Sequence, residues 1–282
     1  MIIWLNGELV PASEARIDPA DRGFLLGDGI FETMLARKGH IAFLDAHLLR
    51  LERGAEAIGL ALPRDPAEIA AACQNLLDAN ELTSAPRAAL RLTLTRGPAP
   101  RGLALPAEPA PTLMIGATAA TAPPAGVSAV LATPRRNNRS PSAQLKAIAY
   151  LDNVLAKEEA RTRGAEEALM LDTDGHLACA SAANIFIWEG DRLITPSPGC
   201  GILPGITRAA ILELAPDLGI ATLEDRIDPA RLMRADGLFL TNSLMGVVPL
   251  TRLDGRALPK HPPTGRIAAA YERLLDAAER NG

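Results

Sequence analysis

Only four of the 29 basic residues in this chain are lysines (Lys38, Lys146, Lys157 and Lys260), so arginine serves nearly everywhere a surface cation would do. Lys38 lies in a turn-like Arg-Lys-Gly-His, Lys157 on the polar side of a Lys-Glu-Glu-Ala-Arg helix, and Lys260 in the loop Pro-Lys-His-Pro-Pro. Those three read as solvated charges. Lys146 differs, because Gln-Leu-Lys-Ala-Ile-Ala-Tyr-Leu flanks it with apolar residues on both sides. A guanidinium stays protonated at any working pH, whereas a desolvated amine can lose its proton and attack a carbonyl carbon. Lys146 is therefore a Schiff-base candidate. Taken alone, the segment fits better a lysine whose stem packs on apolar surface while its head reaches water. The rest of the chain changes that balance.

Several places could grip an anion. Gly205-Ile206-Thr207-Arg208 puts a glycine at the entrance of a helix and a hydroxyl in its first turn. Exposed N–H groups and the positive end of the dipole suit a phosphate there, and an ordinary N-cap is the alternative. Thr241-Asn242-Ser243, at a strand end, offers hydroxyl and amide donors or plain turn chemistry. Arg50, three residues after His47 at the edge of an apolar helical stripe, is either a surface charge or a bidentate phosphate clamp. A lysine nucleophile and several phosphate donors, without a Walker or dinucleotide glycine fingerprint, point to a phosphorylated carbonyl cofactor. Pyridoxal phosphate is the common one.

The elements that must position these groups follow from periodicity. Ile2 to Leu5 and Glu8 to Pro11 form a hairpin around Asn6-Gly7. A helix starts at Asp45 as N-cap, with Leu48, Leu51, Ala55 and Ile58 as its stripe, and a second runs from Pro66 to Leu77. Ala88 to Thr95 alternates like a strand, Arg96 to Gly102 is a loop, and Thr112 to Gly116 is a further strand. The small, proline-bearing residues after it divide the chain into a domain over 1–118, a linker over 119–125 and a domain over 126–282. Beyond the linker, Val127 to Thr133 reads as a strand and Tyr150 to Arg163 as a helix, with Lys146 just ahead of it. Two hairpins turning at Asp174-Gly175 and Gly190-Asp191 share one long strand, Leu177 to Trp188. A helix begins near Ile206, and the strand Gly237 to Thr241 runs into Asn-Ser-Leu-Met-Gly. Mixed strands and helices give an α/β or α+β class.

Composition narrows the function. At 48% hydrophobic and 22% charged residues, the 282-residue chain has a globular profile, and its net charge of -4 leaves no electrostatic footprint for nucleic acid. The N-terminus lacks a cationic region followed by an apolar one, and no run approaches a membrane span, so neither a signal peptide nor a membrane partner is expected. Cys73, Cys179 and Cys200 are odd in number and scattered, which favours a reducing, cytoplasmic location over a disulfide framework. The four histidines form no metal-ligand spacing.

Five segments resemble the class IV (fold-type IV) pyridoxal-phosphate enzymes. They are Arg22-Gly-Phe-Leu-Leu-Gly-Asp-Gly-Ile-Phe-Glu-Thr33, His47-Leu-Leu-Arg50-Leu, Leu145-Lys-Ala-Ile-Ala-Tyr-Leu-Asp-Asn-Val-Leu-Ala156, Ser181-Ala-Ala-Asn-Ile-Phe186 and Gly201-Ile-Leu-Pro-Gly-Ile-Thr-Arg208. They occur in the family's order and span nearly the whole chain. That family contains branched-chain aminotransferases, D-amino-acid aminotransferases and 4-amino-4-deoxychorismate lyases. The resemblance implies a small N-terminal α/β domain and a larger barrel-like C-terminal domain, an active site between them, and a homodimer whose partner completes that site. It implies that Lys146 holds pyridoxal 5'-phosphate and shuttles protons, and that Arg50 clamps the phosphate. Ile206 and Thr207 would give the phosphate backbone N–H groups, and Thr207 and a residue near Asn242 would add side-chain donors. Tyr150 would reach the cofactor's phenolic oxygen, and Phe31 and Arg101 would meet the small-molecule substrate.

One position departs from the pattern. Five residues before the Asn of Ala-Ala-Asn-Ile-Phe, similar relatives carry a glutamate that keeps the pyridine nitrogen protonated, and here that position is Cys179. A neutral thiol is a weak donor and stabilises that cation poorly, unless the register slips by a residue or a neighbouring carboxylate substitutes. Within the family, the loop Thr95 to Gly102 and the segment Asn242-Ser-Leu-Met-Gly-Val-Val-Pro249 look most like aminodeoxychorismate lyases, and the Gly-Thr-Ala-Ala of branched-chain aminotransferases is missing. D-amino-acid aminotransferases share the arginine-bearing loop. The lyase reaction leaves an aromatic ring, so a weakened electron sink would cost it less. The expected function is release of pyruvate and 4-aminobenzoate, with D-amino-acid transamination second and a cofactor-binding protein with little catalysis third.

Overall fold

The computed structural model describes residues 1–281, and the chain divides into two compact units. The first comprises Met1–Thr121, Leu145–Ala149 and the chain from Ala278, and the second comprises Ala122–Gln144 and Tyr150–Ala277. The Lys146 segment therefore belongs to the first unit, although it lies beyond the linker-like stretch in the sequence.

In the first unit β1 (Ile2–Leu5), β2 (Glu8–Pro11), β3 (Gly29–Arg37), β4 (His40–Ile41), β5 (Ala88–Thr95) and β6 (Thr112–Ala119) form an antiparallel sheet in the order β2-β1-β6-β5-β3-β4. The expected hairpin is present, and its turn takes positive φ at Asn6 (51°) and Gly7 (117°), which is why that dipeptide marks it. Helices α1 (Arg22–Leu26), α2 (Leu44–Ala57) and α3 (Pro66–Ala79) complete the unit. A capping box starts α3, where the Asp65 N–H donates to Glu68 at 3.2 Å.

The start of α2 differs from expectation. Its N-cap is Phe43 in the left-handed region (φ 55°), and Asp45 lies in the first turn, where its charge still favours the dipole. Sheet pairing continues until the Ala42 N–H donates to the Leu35 carbonyl at 2.9 Å, which leaves Phe43 alone to turn the chain.

Strand alternation then fixes what faces what. Ile30 and Met34 of β3 join Leu90, Leu92 and Leu94 of β5 in one core with Leu48 and Leu51 of α2 and Ile69 and Leu76 of α3. Glu32 lies between Ile30 and Met34 on this apolar face. Phe31 and Arg91 lie on the other.

In the second unit β7 (Val127–Leu131), β8 (Glu167–Leu171), β9 (Leu177–Ala180), β10 (Asn184–Glu189), β11 (Arg192–Pro196), β12 (Ala221–Asp225), β13 (Gly237–Asn242) and β14 (Gly246–Leu253) form one mixed sheet, ordered β12-β11-β10-β13-β14-β7-β8-β9, with β15 (Arg256–Ala257) paired to β14. Helices α4 (Leu151–Thr162), α5 (Ile206–Leu214), α6 (Pro229–Arg234) and α7 (Pro262–Asn281) accompany it. No described helix is long and apolar enough to cross a membrane.

The apolar run of β10 is explained by cores on both faces. Ile185 and Ile187 pack with Leu238 and Leu240 of β13, whereas Phe186 and Trp188 pack with Phe239, whose ring stacks on Phe186 at 5.0 Å. The single long strand expected from Leu177 to Trp188 is instead two. The chain breaks at Ser181-Ala182-Ala183, where Asn153 of α4 donates to the Ser181 carbonyl at 2.7 Å and Asn242 donates to the Ala182 carbonyl at 3.1 Å. These bonds come from residues distant in sequence, so local hydrophobicity could not reveal the break.

Candidate active site

The segment carrying Lys146 lies along the edge of β3. The Phe31 N–H donates to the Lys146 carbonyl at 2.8 Å, and the Ile148 N–H donates to the Gly29 carbonyl at 3.1 Å. Gly29 is needed for this approach, because a Cβ there would stand 3.1 Å from Ile148 Cδ1 and 2.5 Å from the Leu94 carbonyl oxygen. Lys146 Nζ sits 4.2 Å from the Phe31 ring centroid, and the Arg91 guanidinium sits 3.9 Å from the same centroid. Burial, reinforced by the positive charges of Arg50 and Arg91 and partly offset by Glu32, pulls the Lys146 ammonium down to about 8. The amine is thus substantially neutral in mildly alkaline solution, the condition a lysine nucleophile requires.

Glu32 organises the α2 side of this group. Its Oε1 accepts from Arg50 Nε at 2.8 Å, and its Oε2 accepts from an Arg50 terminal nitrogen at 2.7 Å and meets His47 Nδ1 at 2.7 Å. Burial alone would raise the Glu32 carboxyl, but hydrogen bonds from Arg50 and His47 outweigh it and hold the group below the usual carboxylate range. Burial pushes the His47 imidazolium down, which leaves the ring neutral as an Nδ1–H donor to Glu32. Lys146, Phe31 and Arg50 are therefore brought together, along with Glu32, His47 and Arg91, which the sequence reading did not single out. An acid at a buried period-2 position and a histidine one turn before Arg50 were the available signals. Arg101 is exposed on the loop after β5 and is not among these residues.

The second unit contains the expected helix entrance. Gly205 is the N-cap of α5 and provides no side-chain cap, so the first-turn N–H groups of Ile206 and Thr207 have no capping side chain from it. Thr207 is buried, with its hydroxyl 3.3 Å from Tyr271 Oη. In β13, Thr241 pairs with Asn184 of β10, and its buried hydroxyl has no hydrogen-bond partner. The Asn242 side chain is engaged locally, accepting from the Leu244 and Met245 N–H groups at 3.0 and 2.7 Å. Of these strand-end groups the Thr241 hydroxyl is the one buried without a partner, whereas the Asn242 amide is already engaged at both its oxygen and its nitrogen.

Gly205 also permits close packing, since a Cβ would stand 1.9 Å from Asn184 Oδ1, whose amide nitrogen donates to the Leu203 carbonyl at 2.9 Å. Gly205→Ala is expected to destabilise the fold by about 1–3 kcal/mol through overpacking. Thermal denaturation reads the effect, and an alanine variant with unchanged stability contradicts the packing account.

Tyr150 is the partly exposed N-cap residue of α4. Cys179 lies on β9, paired with Met170, in an apolar cluster with Ala156, Ala160 and Ile202. Burial pushes its thiol up to about 11, so it is neutral. Leu177, Ala178 and Ala180 are the other residues of β9, so a one-residue slip puts no acid in its place. The neighbouring Glu167 carboxylate is committed to the Ser181 hydroxyl, the Ala168 N–H at 2.8 Å and Lys157 at 3.1 Å.

Residues 29–253 match the amino-transferase class IV family, and the chain belongs to it. The chain is 31% identical over 92–93% of each chain to a D-alanine aminotransferase of Bacillus licheniformis. It is also 31% identical to an aminodeoxychorismate lyase of Bacillus subtilis, over 90% of this chain and 87% of that one. The crystal structure of a branched-chain aminotransferase from Thermoproteus uzoniensis with norvaline superimposes with a TM-score of 0.93 at 31% identity, covering 100% of this chain and 96% of that one. The protein is therefore a fold-type IV enzyme dependent on pyridoxal 5'-phosphate.

Proposed function

We propose that the chain is an aminodeoxychorismate lyase, which converts 4-amino-4-deoxychorismate to 4-aminobenzoate and pyruvate in folate biosynthesis. The residues present fit pyridoxal 5'-phosphate: an amine of depressed basicity at Lys146, an uncapped helix entrance at Gly205, and a buried, unpartnered hydroxyl at Thr241. Lys146 would carry its aldehyde carbon, while Arg50, Ile206 and Thr207 would hold its phosphate and Tyr150 its phenolic oxygen. When bound, the cofactor supplies an electron sink for the substrate carbon that bears the amine.

Lys146, its amine free once the substrate amine has taken its place, would take the proton from that ring carbon, the bond from the ring to the enolpyruvyl oxygen would break, and the proton would end on the leaving group as pyruvate. No other reactant is consumed. Phe31 orients the substrate ring, and Arg101 would meet a substrate carboxylate. The observation that carries the choice of lyase is β9, where a neutral Cys179 stands and no carboxylate replaces it. A neutral partner leaves the ring nitrogen weakly protonated, and a reaction driven by aromatisation tolerates that best.

The second reading, amino transfer from a D-amino acid to a 2-oxo acid, is supported by the similarity to the D-alanine aminotransferase. The protein would act as a cytoplasmic homodimer. Exposed Phe24 (78%) and Leu103 (81%) in the first unit, and Leu151 (69%) and Val154 (59%) on α4, are apolar surfaces for a second copy to cover. Incubation with aminodeoxychorismate should yield fluorescent aminobenzoate and equimolar pyruvate. Pyruvate from D-alanine and 2-oxoglutarate, with no aminobenzoate from the first mixture, decides for transamination.

A further inference from the structure

Glu32 is a carboxylate in an apolar strand position, 1% exposed between Ile30 and Met34, with no access to water that would favour its charge. Three hydrogen bonds compensate for this, two from Arg50 at 2.7 and 2.8 Å and one from His47 Nδ1 at 2.7 Å. The Arg50 pair is bidentate, so the plane of the guanidinium is fixed by the carboxylate. His47 has only 1% of its side chain exposed, and its ring nitrogen can donate to Glu32 while the ring stays neutral. The charged groups that act on Lys146 include one anion, Glu32, and two cations, Arg50 from α2 and Arg91 from β5, with His47 adding a further cation only if protonated.

We propose that Glu32 is a positioning residue: its ionised carboxylate fixes the Arg50 guanidinium, orients the His47 ring by accepting from its Nδ1–H, and screens Lys146 from the Arg50 charge. The proposal rests on Lys146 being the cofactor-bearing amine. Without the Glu32 charge, Lys146 loses the anion that offsets Arg50 and Arg91 and gives up its proton more easily, while Arg50 loses its bidentate anchor. A protonated His47 would add to that repulsion, and burial of the ring, which outweighs the pull of the Glu32 charge, keeps it neutral.

Trace acetylation of the full, cofactor-free chain across pH, read by mass spectrometry at each lysine, measures this directly, with exposed Lys157 and Lys260 as internal references. Wild-type Lys146 is expected to label with a midpoint near 8. Glu32→Gln should move that midpoint down and raise Lys146 labelling at pH 7 about threefold, whereas Glu32→Asp, which keeps the charge, should restore it. His47→Gln should leave the midpoint in place. A purely structural Glu32 predicts lost stability in both Glu32 variants with the midpoint unmoved. That outcome, an upward shift in Glu32→Gln, or an upward shift in His47→Gln overturns the proposal.

If Glu32→Gln does not fold, nitrogen-15 NMR of the wild-type histidines still decides. His47 should be the neutral Nδ1–H tautomer at pH 7 and above, as an ionised Glu32 acceptor requires, and an Nε2–H tautomer or a His47 charged at pH 7 contradicts the assignment. A wild-type Lys146 midpoint typical of a solvated lysine would instead refute its role as the cofactor-bearing amine, leaving the Glu32 coupling to be read from the difference between variants.

Discussion

Lys146→Ala is expected to abolish the covalent hold on the cofactor and to lower lyase turnover by about a thousandfold or more, the combined loss of an amine that attaches the cofactor and of the base that moves the substrate proton. The groups proposed to hold the phosphate are on other elements, so the variant should still bind the cofactor non-covalently, with a visible spectrum resembling the free aldehyde. Lys260→Ala, a change at an exposed loop lysine, should leave spectrum and rate unchanged. An alanine variant at position 146 that keeps both the bound-cofactor spectrum and turnover would remove the basis of the proposed chemistry. Ammonia or a small amine added to the variant should restore part of the rate, because the missing function is a base and not a fold element.

Cys179→Glu is the second informative change. If Cys179 faces the ring nitrogen, a carboxylate there would hold that nitrogen protonated and strengthen the electron sink. The ratio of amino transfer to lyase turnover should then rise by about ten- to a hundredfold. The same carboxylate enters an apolar cluster of Ala156, Ala160 and Ile202, so a stability cost of about 1–3 kcal/mol accompanies it in the cofactor-free protein. Adding cofactor should recover much of that loss, because the ring nitrogen gives the new acid a partner. Measuring both rates and the melting temperature with and without cofactor separates the cases. Loss of stability with no change in the ratio would mean that Cys179 is a core residue alone and that the preference for lyase chemistry has another cause.

Much of this architecture was legible where local chemistry decides. The Asn6-Gly7 hairpin and the start of α3 follow from dihedral preference and capping, and the scarcity of lysine pointed to Lys146 before any contact was known. Long-range bonds explain the differences. Phe43 turns the chain into α2 in a left-handed conformation that no propensity favours for a phenylalanine, because sheet pairing persists through Ala42. The break between β9 and β10 depends on Asn153 and Asn242, residues far from it in sequence. Glu32 lies in the Arg22–Thr33 segment that resembles the family, but its role becomes visible only once α2 covers that face of β3 and delivers His47 and Arg50 to one carboxylate. Arg91 was hidden for the opposite reason: it is an exposed strand arginine whose significance lies in the Phe31 ring that it shares with Lys146.

Thr241-Asn242-Ser243 reads in the sequence as either donors or plain turn chemistry, and the burial of the Thr241 hydroxyl without a partner is what sets that residue apart. Its place beside Asn184, which itself packs against Gly205, joins the strand end to the helix entrance that the glycine had already marked.

Reduction of the cofactor-loaded protein with borohydride, followed by digestion and mass spectrometry, tests the central claim most directly. The account predicts a single phosphopyridoxyl label on Lys146. A label on Lys38, Lys157 or Lys260, or none on any lysine, would contradict it.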